Sequence, residues 1–163
     1  MTTTKSPPLA AAVRVETFDS LAQAVLQAYE GFAVPSATAP QLREQVLAAP
    51  IDVLSWDTAL ERVSGWARHH ESRYICITNV HSVVTATQEP AFGEIVQGAD
   101  MVTPDGAPVA WMLRKLGHTS QERINGPDLM WKYCALAAER GESIYLYGGS
   151  PETLSILQGV LAS

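Results

Sequence analysis

Four short stretches carry residue types that can do chemistry. Asp105 sits between Pro104 and Gly106, after the apolar run Met101 to Thr103 and just before a helix start at Pro108. A carboxylate there faces a cleft and the positive end of a helix, and it can take a proton from an attacking hydroxyl. Asp also makes turns and caps helices, and spacing alone favours that plainer role. Asn79 ends a second apolar run, Tyr74 to Thr78. Its amide suits sugar hydroxyls or a uracil edge, although an Asx-type turn is its commoner use at a strand end. The planar fork of Arg123 can hold a diphosphate or pair with Glu122 or another acid. The turn Gly148-Gly149-Ser150-Pro151 leads into a helix N-terminus and presents backbone N–H groups to phosphate. It lacks the spacing of a full dinucleotide or P-loop fingerprint, so a plain tight turn fits it as well. His81 has no second metal-type ligand at useful spacing and reads as a helix-face residue beside the cleft. His69-His70 reads as a solvated helix end.

The elements that must position these residues alternate. Ile51 to Leu54 is a short strand candidate, and Ser55 caps a helix carrying Trp56, Leu60, Val63 and Ala67. The strand Tyr74 to Thr78 follows, then helices over His81 to Ala86 and Ala91 to Gln97, punctuated by Pro90. After the strand Met101 to Thr103, Pro108 opens a helix that stops at Gly117, since a proline in the first turn lacks only an orphan N–H. Pro127 opens another helix, ending near Gly141. Ser143 to Tyr147 is a third strand, and Ser150 with Pro151 starts the last helix. Alternation of this kind predicts an α/β fold with a largely parallel sheet flanked by helices. Thr78, Asn79, Asp105, Gly106 and Gly148 then fall at strand carboxyl ends, where open α/β sheets bind ligands. Trp56, Trp66, Trp111 and Trp131 stand at helical spacing in apolar settings and are predicted core. Residues 1–49 read as an extension: a loose start, a helix over residues 18–29, a Pro/Ser/Ala/Thr linker over residues 34–40, and a short helix carrying Leu42, Val46 and Leu47. Residues 50–163 read as the core domain.

Composition excludes several classes. The 163 residues suit one ordinary domain, large enough to bury roughly two-thirds of its unfolded surface. Hydrophobic residues make up 47%, which is no disordered composition. The net charge of −6 and the absence of a basic stripe argue against nucleic acid as a partner. Two isolated cysteines, Cys76 and Cys134, make neither a disulfide framework nor a metal site, and a reducing cytoplasmic compartment fits them. No cluster of His, Cys or carboxylates has metal-ligand spacing, so no metal is expected. The N-terminus is a poor signal peptide, and no apolar stretch reaches the roughly 18 residues of a span.

Taken together, the segments "CITNVHSVV", "FGEIVQGADMVTPDGAPVAWMLRKLG", "ERINGPDLM" and "GESIYLYGGSPE" are specific in their order and spacing. Over about Ile51 to Ser163 the chain resembles the WecG/TagA/CpsF family of bacterial glycosyltransferases. The strongest pieces are Asn79, Ala99-Asp100, Pro104-Asp105-Gly106, the run Arg123, Gly126, Asp128, and Gly148-Gly149. The resemblance implies a Rossmann-like core. It implies transfer of a sugar of the N-acetylmannosamine or glucose type from a UDP-sugar to a polyprenyl-diphosphate-linked saccharide in cell-surface polysaccharide synthesis. It also implies an inverting, metal-independent mechanism without a cofactor. The general base of the family falls on Asp105, with Thr78, Asn79, His81, Gly106, Arg123, Asp128, Gly148 and Gly149 as substrate-binding residues. The family commonly has threonine two residues before the asparagine, whereas here Ile77 holds that position and Thr78 is adjacent.

Family members run on through a second half with a basic, membrane-meeting segment. The chain therefore reads as a truncated front portion of a protein at the inner face of the cytoplasmic membrane. A sheet missing its later strands is expected to expose an apolar edge and self-associate, unless the N-terminal helices cover it. Two other readings stay open: an inactive nucleotide-sugar-binding fragment, and a non-enzymatic interaction domain in which these residues only make turns.

Overall fold

The computed structural model describes residues 13–14 and 41–161. Its elements in chain order are β1 (Val13–Arg14), β2 (Arg43–Val46), β3 (Ala49–Asp52), α1 (Trp56–Arg68), β4 (Ile75–Thr78), α2 (Val80–Gln88), α3 (Pro90–Gly98), β5 (Met101–Pro104), α4 (Ala107–Lys115), α5 (Gly126–Arg140), β6 (Ile144–Tyr145) and α6 (Pro151–Leu161). The fold is α/β, with helices flanking short sheets. The helix expected over residues 18–29 and the linker over residues 34–40 lie outside the described residues. The chain divides into two compact units, residues 37–131 and residues 1–36 with 132–163.

In the unit of residues 37–131, β4 and β5 pair in parallel from Ile75↔Met101 to Thr78↔Pro104. All four residues of β5 are buried, as expected of a strand covered on both faces. Successive side chains leave a strand on opposite faces. Val102 accordingly packs with Val83, Ala86, Val96, Val109 and Leu113 from α2, α3 and α4. Met101 packs with Ala59, Trp66, Ile124 and Leu129 from α1, the segment before α5 and the start of α5. Where α3 crosses α2, a Cβ on Gly93 would stand 2.7 Å from the Ala86 carbonyl oxygen, so only glycine permits that approach.

The short helix expected over Leu42, Val46 and Leu47 is not formed. Those residues enter an antiparallel hairpin in which Arg43 faces Asp52 and Val46 faces Ala49. The trio had helical spacing, but only Val46 is buried, while Leu42 and Leu47 are exposed. The turn Leu47-Ala48 puts Leu47 at φ 55°, a conformation that no glycine or asparagine announces in the sequence. The strand expected over Ile51 to Leu54 forms two residues earlier, as β3.

The hairpin meets β5 through side chains. Asp52, 1% exposed, accepts from Arg43 Nε at 3.1 Å and from the Val102 backbone N–H at 2.6 Å. Arg43 Nη2 donates to the Ala99 carbonyl at 2.6 Å, and Arg62 Nη1 lies 3.7 Å from Asp52 Oδ1. Asp100 fastens the same, amino-terminal end of the β4–β5 pair to the start of β4. It accepts from Arg73 Nη1 at 2.9 Å and from the Tyr74 N–H at 3.0 Å.

The other unit contains the two-residue parallel pair of β1 and β6, with Val13 facing Ile144 and Arg14 facing Tyr145. The expected strand Ser143 to Tyr147 is thus shortened to its centre. The cap expected for α6 is present: Ser150 Oγ accepts from the Thr153 N–H at 3.3 Å. Helices α1 to α5 lie within two residues of their predicted bounds at most ends. Trp66 is buried and Trp56 packs on the core, whereas Trp111 and Trp131 are half-exposed rather than core. Trp111 points outward from α4, with the Lys115 ammonium 5.5 Å from its ring centre.

Candidate active site

The parallel register sets the carboxyl ends of β4 and β5 side by side, so Asn79 and Asp105 emerge at one edge of the pair. The Asp105 N–H donates to the Thr78 carbonyl at 2.9 Å, extending the ladder by one bond. Gly106 then turns at φ 88°, a left-handed conformation suited to glycine. A Cβ placed on Gly106 would stand 3.9 Å from the Asn79 Cβ, which measures how close the two turns come.

Arg123 reaches this edge because the segment before α5 runs across it. The Ile124 N–H donates to the Pro104 carbonyl at 3.0 Å, and Gly126 abuts the Ile77 side chain. Arg123 Nε lies 3.4 Å from Asp105 Oδ1. The pair is open to water, with 53% of the Arg123 side chain and 23% of the Asp105 side chain exposed. Such a pair contributes about 0–1 kcal/mol to stability, and a competing anion can displace it at little cost.

The plainer roles weighed for these residues separate here. Asn79 does cap a helix: its Oδ1 accepts from the Ser82 N–H at 3.0 Å at the start of α2. Asp105 does not. The N-cap of α4 is Gly106, with no side-chain hydrogen bond to the helix start. Among the described residues the partner of the Asp105 carboxylate is the exposed Arg123. The acid of Arg123 is therefore Asp105, rather than its neighbour Glu122.

The remaining predicted residues are placed as follows. Thr78 is buried, and its hydroxyl turns inward toward the Cys76 carbonyl at 3.4 Å, so it offers this edge its backbone only. His81 is exposed in the first turn of α2. Asp128 lies in the first turn of α5, where its carboxylate accepts from Asn125 Nδ2 at 2.6 Å. Its N–H in turn donates to Asn125 Oδ1 at 2.9 Å. Gly148 (φ 110°) and Gly149 (φ 74°) belong to the other unit and lead into α6. There the Ser150 hydroxyl, with help from the backbone, holds the Glu152 carboxyl below the ordinary glutamate range.

Two buried residues that position the site were missed in the sequence. Gln121 clamps Leu54, accepting from its N–H at 3.1 Å and donating to its carbonyl at 2.9 Å. Asn125 closes the reciprocal cap with Asp128. The spacing Asn-x-x-Asp is a capping-box variant and was legible as one, whereas nothing local marks Gln121.

A partly exposed carboxylate at the end of a parallel strand, beside a glycine turn and paired with an exposed arginine, has the chemistry to accept a proton next to an anionic ligand. The model of the glycosyl transferase WecG/TagA/CpsF family matches residues 44–163, and the chain belongs to that family. It is 25% identical over 114 residues to the N-acetylglucosaminyldiphosphoundecaprenol N-acetyl-beta-D-mannosaminyltransferase of Bacillus spizizenii. That match covers 65% of this chain and 44% of the relative, so the chain spans less than half of that relative's length.

Proposed function

We propose that this chain carries the base-bearing part of a glycosyltransferase of cell-surface polysaccharide synthesis. It would move a sugar of the N-acetylmannosamine or glucose type from a UDP-sugar to a polyprenyl-diphosphate-linked saccharide. Asp105 takes the proton of the acceptor hydroxyl as that oxygen attacks the anomeric carbon. The bond from that carbon to the UDP oxygen breaks, UDP leaves with the bonding electrons, and the configuration inverts. Arg123 exchanges Asp105 for an oxygen of the leaving diphosphate, and the N–H groups at the start of α2 and α4 add positive potential. No metal or cofactor takes part. The observation that supports the reading is that the Asp105 carboxylate stands at the carboxyl end of β5 without the helix-capping role, paired with the exposed Arg123.

The test is Asp105→Asn, assayed for release of UDP from UDP-N-acetylmannosamine or UDP-glucose with a polyprenyl-diphosphate-linked acceptor. A positioned base contributes roughly 10²–10⁴-fold to rate, so turnover should fall by about that factor while UDP affinity holds. Melting should move little, because the substitution removes only an exposed ion pair. Near-normal turnover by Asp105→Asn would end the assignment of the base. A second reading follows from the short span of the match: a nucleotide-sugar-binding portion that does not turn over alone. UDP binding with no turnover in the unaltered chain would favour it.

A further inference from the structure

An apolar groove of about 270 Å³ opens beside the Asn79–Gly106 edge. Its walls are Val80 and Val84 of α2, Pro108, Trp111 and Met112 of α4, and Leu47 at the hairpin turn. Leu47 is 67% exposed and Trp111 49%, and Val80, Val84 and Met112 are also exposed. No charged side chain lines it. The groove starts where the candidate site ends. Val80 follows Asn79 directly, and the Pro108 Cδ lies 3.7 Å from the position of a Cβ on Gly106.

We infer that this groove holds the first isoprene units of a polyprenyl-diphosphate-linked acceptor. The inference rests on the glycosyltransferase reading above. An acceptor whose hydroxyl reaches Asp105 carries its diphosphate on the same sugar, and a hydrocarbon chain directly beyond it. That chain leaves the site within reach of the groove mouth. Exposed apolar walls gain about 25 cal/mol for each Å² they remove from water, and an uncharged lining forfeits no ion hydration. The volume falls just under the roughly 300–1,000 Å³ of drug-sized pockets, so it accommodates a few isoprene units and not a whole polyprenyl chain.

The test uses the full chain and a benzophenone-tagged farnesyl diphosphate, with the labelled peptides mapped by mass spectrometry. Label should fall on residues 80–88 or 107–115, be competed by farnesyl diphosphate, and persist in excess inorganic diphosphate. Val84→Gln and Met112→Gln, both at exposed positions, should each weaken farnesyl diphosphate binding by roughly tenfold, about the cost of losing one apolar contact surface. UDP affinity should stay unchanged. Labelling elsewhere, or affinity untouched by both substitutions, overturns the inference. So does label lost on a concentration-dependent dimerisation that joins α4 of two copies, since a second copy then occupies the groove. Absence of UDP binding in the unaltered chain counts against the proposed function alone, because the labelling pattern is read without nucleotide.

Discussion

Asp52→Ala should unfold the protein more readily than any single change at the candidate site. Asp52 is 1% exposed and is held by Arg43 at 3.1 and 3.4 Å, by the Val102 N–H at 2.6 Å, and by Arg62 at 3.7 Å. Alanine there strands a buried N–H, which costs about 1–3 kcal/mol. It also leaves two guanidiniums facing each other without a counter-charge. Removing one member of a buried ion pair costs about 3–5 kcal/mol. The Arg43 and Arg62 side chains keep 24% and 16% of their exposure, and water there relieves part of the penalty. The lower end, about 3 kcal/mol, is therefore expected, which lowers Tm by roughly 10–20 °C in a unit of this size. Circular dichroism melts of the full chain measure it. Asp57→Ala, an exposed first-turn residue of α1, is the control and should change stability by about 0.5 kcal/mol or less. Asp52→Asn should fall between, since its amide oxygen still accepts from Val102. A loss under about 1 kcal/mol for Asp52→Ala would refute the reasoning, because a buried, triply held carboxylate cannot be that cheap to remove.

Asn79→Ala should cost about 1 kcal/mol by uncapping α2, while Asn79→Asp keeps the cap; equal urea midpoints for the two variants would contradict the capping role. Burial pushes the Cys76 and Cys134 thiols up, so at pH 8 they carry less thiolate than free cysteine. An aromatic disulfide reagent should label them at least about tenfold more slowly in the native protein than in urea, and equal rates would show the thiols to be accessible. Among the described residues no three His, Cys, Asp or Glu side chains gather as a metal site. Under the proposed metal-free mechanism turnover should survive EDTA, and loss on chelation followed by recovery with Mg²⁺ would reverse that mechanism. Ser150→Ala should raise the Glu152 pKa toward the ordinary value, because the Ser150 hydroxyl is the main group holding it down. The part of the α6 cap that depends on ionised Glu152 is present above the unfolded-state pKa and lost as pH falls through the lower folded value. NMR titration of Glu152 with and without the substitution reads the shift directly.

Much of the fold was written locally. Ser55, Ser150, Pro90, Pro108 and Gly117 each act within one turn of the backbone, so their sequence positions alone set helix ends. The short runs before Asn79 and Asp105 became β4 and β5, and β5 is buried along its whole length, as suits a strand covered on both faces. The resemblance rested on the same local runs. What stayed illegible depended on partners distant in sequence. The hairpin of residues 43–52 carries no glycine or asparagine at its turn, and its pairing with β5 runs through Asp52, fifty positions away from Val102. Trp111 and Trp131 share the spacing of core residues, yet which face of a helix is covered is decided by what packs on it. Spacing alone favoured a turn or capping role for Asp105, and the backbone gave the capping place of α4 to Gly106 instead. The pairing of Arg123 with Asp105 required the segment before α5 to cross the end of β5, held there by Gln121 and the Ile124 N–H. Sequence by itself determined which residues can accept protons or cap helices, because those are properties of single side chains and their nearest neighbours. Only the tertiary structure decided that Asn79 caps a helix while Asp105 pairs with an exposed arginine, because that depends on which groups the rest of the chain brings within reach of each.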